Sequence, residues 1–456
     1  MKSGFSFARR GIALLGVVVL VATSAASASA HDGDRTSAVR ASLTGGKARN
    51  VILLVGDGMG DSEITIARNY HVGAAGRLSM DSLPLTGAYT TYSVQRDKPH
   101  LPDYVADSAA TGTAWATGRK TYDGAVSVLP DGTPAPTILE LAKRAGYRTG
   151  NVTTAELQGA TPAVLMSHVT FRHCKGPESM SACPTNAREN GGAGSIVEQS
   201  IATRPDVMLG GGQRYFDQIL QAGPYAGQPV MREATAAGYH VVTDAAGLAS
   251  IGSTNRNVPL LGVFATNDFH WDMVGPTPTP TGTAPSRCTA NPDRDPRQPR
   301  LADMATTAMN LLERQSRDHN KGFFLQVEGA LIDNGGHGAY PCGQIGATIT
   351  FDEAVAAALR FQKRNPDTLV VVTADHGHTS QIVEAGSTTP GGTVTLRTKD
   401  DVDMTISYAT AALTEAQQHT GTQVRIGASG PQAANVLGVT DQTDLFRTLS
   451  RALGIR

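Results

Sequence analysis

The chain has 456 residues, with 39 Lys or Arg against 40 Asp or Glu, and its formal net charge at pH 7 is −1. This balance, with no basic run, argues against a dedicated nucleic-acid-binding protein. Hydrophobic residues make up 40% of the sequence, which is enough for a folded core and excludes a largely disordered chain. The length allows one large domain or two to three smaller ones.

The N-terminus has the pattern of a secretory signal peptide, predicted over residues 1–30. Its parts are a basic start, a short apolar run and a small-x-small cleavage site: Lys2, Arg9 and Arg10, then residues 11–21, then residues 28–30. The apolar run is too short to span a bilayer comfortably and no stop-transfer pattern follows, which argues against the alternative of a membrane anchor. We therefore expect an exported protein, periplasmic or secreted, and the Arg9-Arg10 pair leaves twin-arginine export open.

After the signal peptide, residues 31–48 are small and polar, and we expect a flexible lead-in there. No linker divides the rest of the chain, so residues 49–456 are predicted to form one domain.

Four cysteines become candidates for disulfide bonds once export is assumed. Cys174 and Cys183 are close in sequence, and Cys288 and Cys342 flank a long segment. Among the three possible connectivities we predict these nearest-neighbour bridges. The alternative of four zinc ligands is disfavoured because the chain has no Cys-x-x-Cys pair.

Short apolar runs alternate with helical patterns along the chain. Four runs lead into polar residues: 51–55 before Asp57, 147–152 before Thr153, 323–327 before Glu328 and Asp333, and 368–373 before Asp375. Helices are predicted over 109–116, 352–364 and 441–453. Such alternation indicates an α/β fold, with a mostly parallel central sheet between two helical layers. Sites in these sheets form at the carboxyl ends of the strands.

Two further segments have a distinctive composition. Residues 275–282 alternate Pro and Thr and are expected to form an extended surface loop. Residues 387–405 are rich in Thr, Val and Gly, and predict a small β excursion near the mouth of the site, with a possible hairpin turn at Gly391-Gly392.

The polar strand ends carry residues typical of divalent-metal ligands: Asp57, Glu328, Asp333, His337, Asp375, His376 and His378. Asp333 and His337 are expected to share one loop, and Asp375 and His376 another. Each pair combines a hard oxygen with a borderline nitrogen, which suits zinc. Any one of these residues alone is more simply a solvated acid or a loop histidine. Together they predict a two-metal site, of the kind that serves phosphoryl transfer.

Ser108 precedes a run of small residues that can form a helix, and a helix N-terminus is a ready phosphate site. Ser108 is therefore a candidate nucleophile, although the local sequence alone fits a simple N-cap at Asp107 or Ser108 better. Arg172 is either a bidentate phosphate clamp or an ordinary surface arginine.

Taken together, these residues resemble the alkaline phosphatase family over most of the chain. The motifs occur in the family's order: 56–60, 107–114, 153–156, 160–163, 168–170 with Arg172, 209–212, 327–329, 342–344, 373–376 and 419–421. Any one motif could arise by chance, whereas the ordered series is specific.

The resemblance implies a role for each matching residue. One zinc would be held by Asp333, His337 and His419; a second by Asp57, Asp375 and His376, with Ser108 bound to it as alkoxide; and a third ion, usually magnesium, by Asp57, Thr161 and Glu328. Arg172 would bind two phosphate oxygens, and Asp107 would belong to the substrate site with Ser108. Only the resemblance points to His419. It also implies that His378 supports a ligand or the fold and does not bind metal.

By the same resemblance, the chain would hydrolyse phosphate monoesters with broad specificity, through a phosphoserine at Ser108, and would form a homodimer. No membrane association is expected after signal cleavage. The remaining histidines are expected to be surface or structural residues: His71, His100, His168, His173, His240, His270 and His319.

Two positions depart from the family pattern. Bacterial members often carry an acid where this chain has Gly159, and a lysine where it has Asn334. Glycine offers no group to hold a metal-bound water, and asparagine lacks the positive charge beside the product phosphate. The identity of the third ion is therefore open, and weaker product binding is expected.

Three other functions share part of this sequence pattern. A phosphodiesterase or nucleotide pyrophosphatase of the same scaffold usually lacks the third-ion ligands and the arginine clamp, so Thr161, Glu328 and Arg172 favour the monoesterase. A sulfatase requires Cys-x-Pro-x-Arg, which is absent from the sequence. An exported metal- or phosphate-binding protein without turnover would need no nucleophile.

Overall fold

The computed structural model describes residues 1–2, 4, 34–251, 258–317 and 320–455. Most of the predicted signal peptide lies outside the described residues. The helices are α1 Thr36–Ser42, α2 Asp61–His71, α3 Ser108–Thr117, α4 Ile138–Arg144, α5 Ala160–Ala163, α6 Ile196–Thr203, α7 Gln213–Phe216, α8 Val230–Ala236, α9 Ala245–Ala249, α10 Leu301–Gln315, α11 Leu331–His337, α12 Pro341–Arg364 and α13 Gln442–Leu453. Short 3₁₀ helices occupy Ser79–Ser82, Pro177–Ala182, Arg188–Asn190 and Ala433–Val436.

The strands are β1 Asn50–Gly56, β2 Leu85–Thr90, β3 Ser93–Val94, β4 Pro102–Asp103, β5 Arg148–Glu156, β6 Val207–Gly211, β7 His240–Val242, β8 Leu260–Val263, β9 Met273–Val274, β10 Thr289–Ala290, β11 Phe323–Gly329, β12 Thr368–Ala374, β13 Gln381–Val383, β14 Thr393–Arg397, β15 Asp403–Ser407, β16 Val424–Ser429 and β17 Gly438–Asp441. Ten of them form one sheet in the order β17-β2-β16-β12-β1-β11-β5-β6-β8-β7. All neighbours pair in parallel except β16, which runs antiparallel to both β12 and β2. The predicted mostly parallel sheet is confirmed.

The centre of the sheet fixes the position of the polar strand ends. β1 lies between β11 and β12, and its last residue, Gly56, is in register with Gly329 and Ala374. Three neighbouring parallel strands therefore end at the same level. Every residue of β1 is buried, as expected for a strand whose two faces are covered, and α12 and α13 both pack against it.

The two predicted disulfide bonds are present. Cys174 is bonded to Cys183, and Cys288 to Cys342. The second bridge ties the segment after β9 to the first turn of α12. Among the described helices, each is too short or too polar to cross a membrane.

A separate three-stranded sheet, in the order β13-β15-β14, corresponds to the predicted β excursion. Its hairpin turn is not at Gly391-Gly392, because those residues precede β14. The β14–β15 turn lies at residues 398–402, where Asp401 has a φ of 59°. The Pro-Thr segment is docked on this sheet, since Thr279 pairs with Thr393.

Three other sequence expectations need correction. Asp333 and His337 lie on α11 and not in a loop; this helical spacing of four residues puts both side chains on one face. Thr153 lies inside β5 and Glu328 inside β11, so both strands run further than predicted. Within the predicted lead-in, residues 36–42 form α1.

The burial of the central strand β1 leads to a prediction about stability. Leu53 is fully buried in β1, so Leu53→Ala should lower the free energy of unfolding by about 2–5 kcal/mol, through lost burial and the cavity left behind. Val402, which is 61% exposed, provides the control: Val402→Ala should change stability by less than about 0.5 kcal/mol. Urea denaturation of both variants checks this. Equal losses would show that β1 is not central to the core.

Candidate metal centre and nucleophile

Two groups of ligand-type side chains lie at the carboxyl ends of the central strands. The first cluster consists of Asp333, His337, His378 and His419, and the second cluster of Asp57, Asp375 and His376. Within each cluster, one potential ligand atom per residue lies within 4.8 Å of the others. Asp57 follows β1, Asp375 and His376 follow β12, and α11 follows β11. The register of the three strands thus brings together residues that are far apart in sequence.

Backbone contacts fix the orientation of three histidines. Nδ1 of His337 contacts the carbonyl oxygen of Gln417, and Nδ1 of His419 lies 3.1 Å from the carbonyl oxygen of Ala106. In the second cluster, Nδ1 of His376 lies 3.2 Å from the Gly377 carbonyl oxygen. A carbonyl only accepts, so each Nδ1 carries a proton and donates it. The Nε2 lone pair of each ring is then available to a metal, which is the usual arrangement of metal-binding histidines.

His378 has the opposite arrangement. Its Nδ1 accepts a hydrogen bond of 2.9 Å from the backbone N–H of Thr379. In the neutral ring the proton must then be on Nε2, which lies 3.2 Å from Oδ1 of Asp333. A protonated nitrogen cannot bind a metal. This geometry favours a role in orienting Asp333, although His378 is spatially part of the first cluster.

Charges in the centre strongly perturb its pKa values. Burial raises the pKa of Asp57 well above its ordinary value, and repulsion from the Asp375 carboxylate adds to the shift. Burial likewise raises the pKa of Glu328 to about 7. Burial also opposes protonation of His376, but the Asp375 carboxylate outweighs it and raises the pKa of His376 to about 9. Asp57 and Glu328 thus tend to keep their protons, whereas the Asp375 carboxylate keeps His376 protonated.

The hydrogen bonding of three buried carboxylate oxygens shows whether divalent ions fit this centre. Oδ1 of Asp57, Oδ1 of Asp333 and Oδ2 of Asp375 are buried and make no well-aligned hydrogen bond. Buried carboxylate oxygens without a donor are costly unless a cation neutralises them. Each cluster contributes both carboxylate oxygen and imidazole nitrogen, a donor set typical of zinc. The residues therefore fit two divalent ions.

A third polar group adjoins the second cluster. Thr161, on α5, donates a hydrogen bond of 3.4 Å from Oγ1 to Oδ2 of Asp57. Glu328 is buried at the end of β11 and accepts a hydrogen bond from Thr153. This set offers only oxygen ligands, which suit magnesium better than zinc.

Ser108 is the first residue of α3, and Asp107 is its N-cap. Oδ1 of Asp107 accepts the backbone N–H of Ala110 at 2.9 Å, and Oδ2 accepts Nη1 of Arg172 at 2.8 Å. The Ser108 hydroxyl lies 3.2 Å from Nε2 of His376. The two interpretations of this segment, a helix N-cap and a nucleophile, are therefore compatible. Asp107 caps α3, and the Ser108 hydroxyl remains directed at the second cluster.

The two departures from the family pattern lie beside this centre. Asn334 follows Asp333 on α11, and its Nδ2 donates to Oδ2 of Asp268 at 3.1 Å. The other carboxylate oxygen of Asp268 accepts the Glu156 backbone N–H. Gly159 is the N-cap of α5, directly before the turn that carries Thr161.

The structure brings all the residues singled out for the two main metal sites into the two clusters, His419 included. What sequence reasoning missed is the backbone support, namely the carbonyl groups of Gln417, Ala106 and Gly377. No sequence signal marks them, because a carbonyl oxygen is present at every residue. The sequence did single out His378 as a possible metal ligand, because it follows a predicted strand. Which of its ring nitrogens carries the proton depends on contacts that only the fold provides.

His378 gives a testable prediction. His378→Ala should lower the affinity of the first cluster for zinc by about 10–100-fold, because Asp333 loses the group that orients it. Competition with a coloured chelator measures this affinity. His71→Ala, at an exposed position on α2, is the control and should leave it unchanged. Complete loss of zinc binding with an intact fold would instead mean that His378 is itself a ligand.

Comparison with known proteins identifies the family to which this chain belongs. The sequence model of the alkaline phosphatase family matches residues 48–417 and 397–455. The chain is 53% identical over 428 residues to alkaline phosphatase H of Pseudomonas aeruginosa, covering 93% of this chain and 89% of that protein. It is 52% identical over 429 residues to alkaline phosphatase of Escherichia coli, covering 93% and 90%. It is also 50% identical over 453 residues to streptomycin-6-phosphate phosphatase of Streptomyces griseus, covering 98% of each chain.

The fold agrees with this assignment. The crystal structure of Thermus thermophilus alkaline phosphatase matches with a TM-score of 0.66 at 23% identity, and the match covers 93% of this chain and 95% of that one. At this identity the likeness concerns the fold alone. Together with the sequence matches, it establishes that this chain belongs to the alkaline phosphatase family.

Proposed function

We propose that this protein hydrolyses phosphate monoesters through a phosphoserine intermediate at Ser108. The observation that carries the proposal is the position of the Ser108 hydroxyl, 3.2 Å from Nε2 of His376, at the N-terminus of α3 and beside Arg172 held by Asp107. A nucleophile, an anion-binding helix end and a guanidinium thus surround one space at the edge of two metal-ligand clusters.

In the proposed reaction, Oγ of Ser108 attacks phosphorus and the bond to the ester oxygen breaks, which releases the alcohol and leaves a phosphoserine. Water then cleaves the phosphoserine, regenerates the serine hydroxyl and releases inorganic phosphate. Arg172 binds phosphate oxygens in both steps, and Asp107 keeps its guanidinium aimed at them. Few residues would contact the leaving group, so broad specificity follows.

The proposed ligands are Asp333, His337 and His419 for one zinc, Asp57, Asp375 and His376 for the other, and Asp57, Thr161 and Glu328 for a magnesium. When bound, such ions supply Lewis acidity, charge neutralisation and water of lowered pKa. The chain's own contribution is to hold these ligands in the correct tautomer and to aim Ser108 and Arg172 at the substrate.

The main competing function is phosphodiester cleavage. The oxygen-rich group around Glu328 and the Arg172–Asp107 pair support the monoesterase, because a diester has one fewer free phosphate oxygen for the guanidinium and the ions to bind.

Side-by-side hydrolysis of p-nitrophenyl phosphate and bis(p-nitrophenyl) phosphate tests the proposal. We expect strong monoester turnover at alkaline pH, which EDTA abolishes and zinc with magnesium restores. Ser108→Ala should lower kcat/KM by several orders of magnitude, because the nucleophile is removed. Ser82→Ala, at an exposed serine, is the control.

Three results would contradict the proposal. Preferential diester cleavage would mean that Arg172 and the third-ion residues do not act as proposed. Monoester turnover that survives both Ser108→Ala and chelation would rule out a metal-dependent serine mechanism. If instead the wild-type protein bound zinc and phosphate but turned over neither ester, a binding protein would be the better description.

Gly159 and Asn334 give a separate prediction about product binding. Because Asn334 is neutral and its amide donates to Asp268, product phosphate should be held more weakly than with a lysine there. The double variant Gly159→Asp, Asn334→Lys should therefore bind inorganic phosphate about tenfold more tightly, as one added charge pair in a partly buried site allows. It should also show a changed magnesium requirement.

Competitive inhibition by phosphate measures this change. A Cβ at position 159 would lie 3.0 Å from the Glu156 carbonyl oxygen, so a small backbone shift accompanies any substitution. The matched control is Gly159→Ala, Asn334→Gln, which adds bulk without charge. If the charged variant binds phosphate no more tightly than this control, the charge argument is wrong.

Export, domain limits and assembly are further proposals. We propose that residues 1–30 are removed as a signal peptide, that residues 49–456 form the catalytic domain, and that the mature protein is a periplasmic or secreted homodimer. The disulfide bonds support an oxidising compartment.

A further inference from the structure

The loop that carries Arg172 is paired with another short segment. The two segments form a small antiparallel ladder, defined by residues 124–127 and 169–172. Val126 and Val169 exchange both backbone hydrogen bonds, at 3.0 and 3.1 Å, and the Arg172 N–H donates to the Gly124 carbonyl oxygen at 2.7 Å. The backbone position of Arg172 is therefore set by its partner segment.

That partner segment is also bonded to the helix of the nucleophile. Thr113, on α3, donates from Oγ1 to the Ala125 carbonyl oxygen at 3.2 Å and accepts the Ser127 N–H at 2.9 Å. Ser108 begins the same helix. Residues 124–127 therefore connect Ser108 to Arg172, and their conformation sets the spacing between the two groups.

Ser127, at the end of this segment, has an unfavourable backbone conformation that its contacts stabilise. Its φ is 46°, in the left-handed region that residues other than glycine rarely adopt. Its hydroxyl donates to the Val164 carbonyl oxygen at 2.5 Å, and its carbonyl oxygen accepts the Ala135 N–H at 2.9 Å. The same carbonyl oxygen lies 2.8 Å from Nδ1 of His168.

His168 has an acceptor at each ring nitrogen. Its Nδ1 faces the Ser127 carbonyl oxygen, and its Nε2 lies 3.1 Å from Oε1 of Glu140. Both nitrogens must donate to satisfy both contacts, so the geometry requires the imidazolium form. The side chains of His168 and Glu140 are only 15% and 20% exposed, and Glu140 is itself oriented by the Thr137 N–H.

We propose that His168, held between Glu140 and Ser127, is a positioning residue that fixes Arg172 against the nucleophile helix. It touches neither the clusters nor the proposed substrate. It acts by stabilising Ser127 and, through residues 124–127, the spacing of Arg172 from Ser108. The inference rests on the proposed function, because it takes Arg172 as the phosphate clamp.

The hydrogen bonds made by His168 should depend on pH, because the two together require a protonated ring. Burial would lower the pKa of His168, but the hydrogen bonds to Glu140 and Ser127 and the charge of Glu140 together outweigh burial, and the pKa is raised. Among the described residues, Lys143 and Arg144 on α4 line the same pocket as His168, and Arg144 opposes protonation. Both contacts are therefore complete below the ordinary histidine pKa of about 6.5, and the neutral ring that forms as pH rises through the raised value has one N–H and keeps only one of them.

A double-mutant cycle with Arg172 tests the proposal. We expect His168→Ala to raise the inhibition constant of inorganic phosphate about tenfold, since small displacements of a positioned group weaken its contacts strongly. In an Arg172→Ala background the same substitution should have little further effect, because the group it positions is gone. His240→Gln, at an exposed position on β7, is the control and should leave the constant unchanged.

Thermal melts show whether each variant is folded at the assay temperature, and His168→Gln replaces His168→Ala if the latter is not. Additive effects in the double variant, or a lowered melting temperature with an unchanged inhibition constant, would overturn the proposal and leave His168 with a structural role only. If Arg172→Ala itself leaves phosphate inhibition unchanged, the clamp role in the proposed function has failed instead.

The pH profile provides a second, independent readout. The ratio of the inhibition constants of His168→Ala and wild type should be greatest near pH 6 and should decline as pH rises through the raised pKa of His168. Glu140→Gln should move this decline to lower pH, because it removes the carboxylate that raises the His168 pKa. A ratio that does not change with pH would contradict the imidazolium assignment.

Discussion

Burial of several carboxylates at one edge of the sheet is the constraint on which the rest of this structure depends. β12, β1 and β11 run parallel and in register, so Asp375, Asp57 and Glu328 emerge side by side from neighbouring strands. Like charges in a poorly solvated interior repel one another. Without a cation, the chain limits this repulsion by keeping protons on Asp57 and Glu328 and by protonating His376. Divalent ions remove the same repulsion by neutralising the carboxylates, and metal binding would then release those protons.

The loops around this edge orient the histidines mainly through backbone carbonyl groups. Carbonyl groups of residues 106, 377 and 417 each turn one histidine so that its Nε2 faces a carboxylate. The loop that ends at His419 is in turn paired with the loop after β12, because Gly377 and Thr420 form a β-bridge. The two clusters therefore share supports, and displacing one loop would disturb ligands of both. His378, whose tautomer is reversed because its Nδ1 accepts the Thr379 N–H, places its Nε2 3.2 Å from Oδ1 of Asp333.

Much of this arrangement could be predicted from the sequence. The apolar runs before Asp57 and Asp375 correctly predicted buried parallel strands. The carboxyl ends of parallel strands lie at the same edge of a sheet, so the residues that follow them are close together. The prediction failed where local pattern does not decide the structure. Asp333 to His337 contain two glycines and suggest a loop, yet packing against α12 keeps them helical. Gly391-Gly392 suggests a hairpin turn, but the pairing of β14 with β15 places the turn elsewhere. Histidine tautomers depend on partners distant in sequence, so no local pattern reveals them.

The candidate metal ligands and Arg172, which we propose binds phosphate, are supported by different parts of the molecule. Asp57, Asp375 and His376 directly follow buried central strands. Arg172 instead lies in a loop stabilised by the ladder of residues 124–127 and 169–172 and by the adjacent Cys174–Cys183 disulfide. The direct side-chain link between Arg172 and the nucleophile helix is its ion pair with Asp107. A change in the arginine loop can therefore alter how tightly phosphate is held while the strand register that assembles the ligands is preserved. Under the proposed function, phosphate affinity and metal-ligand geometry would therefore be separable by mutation.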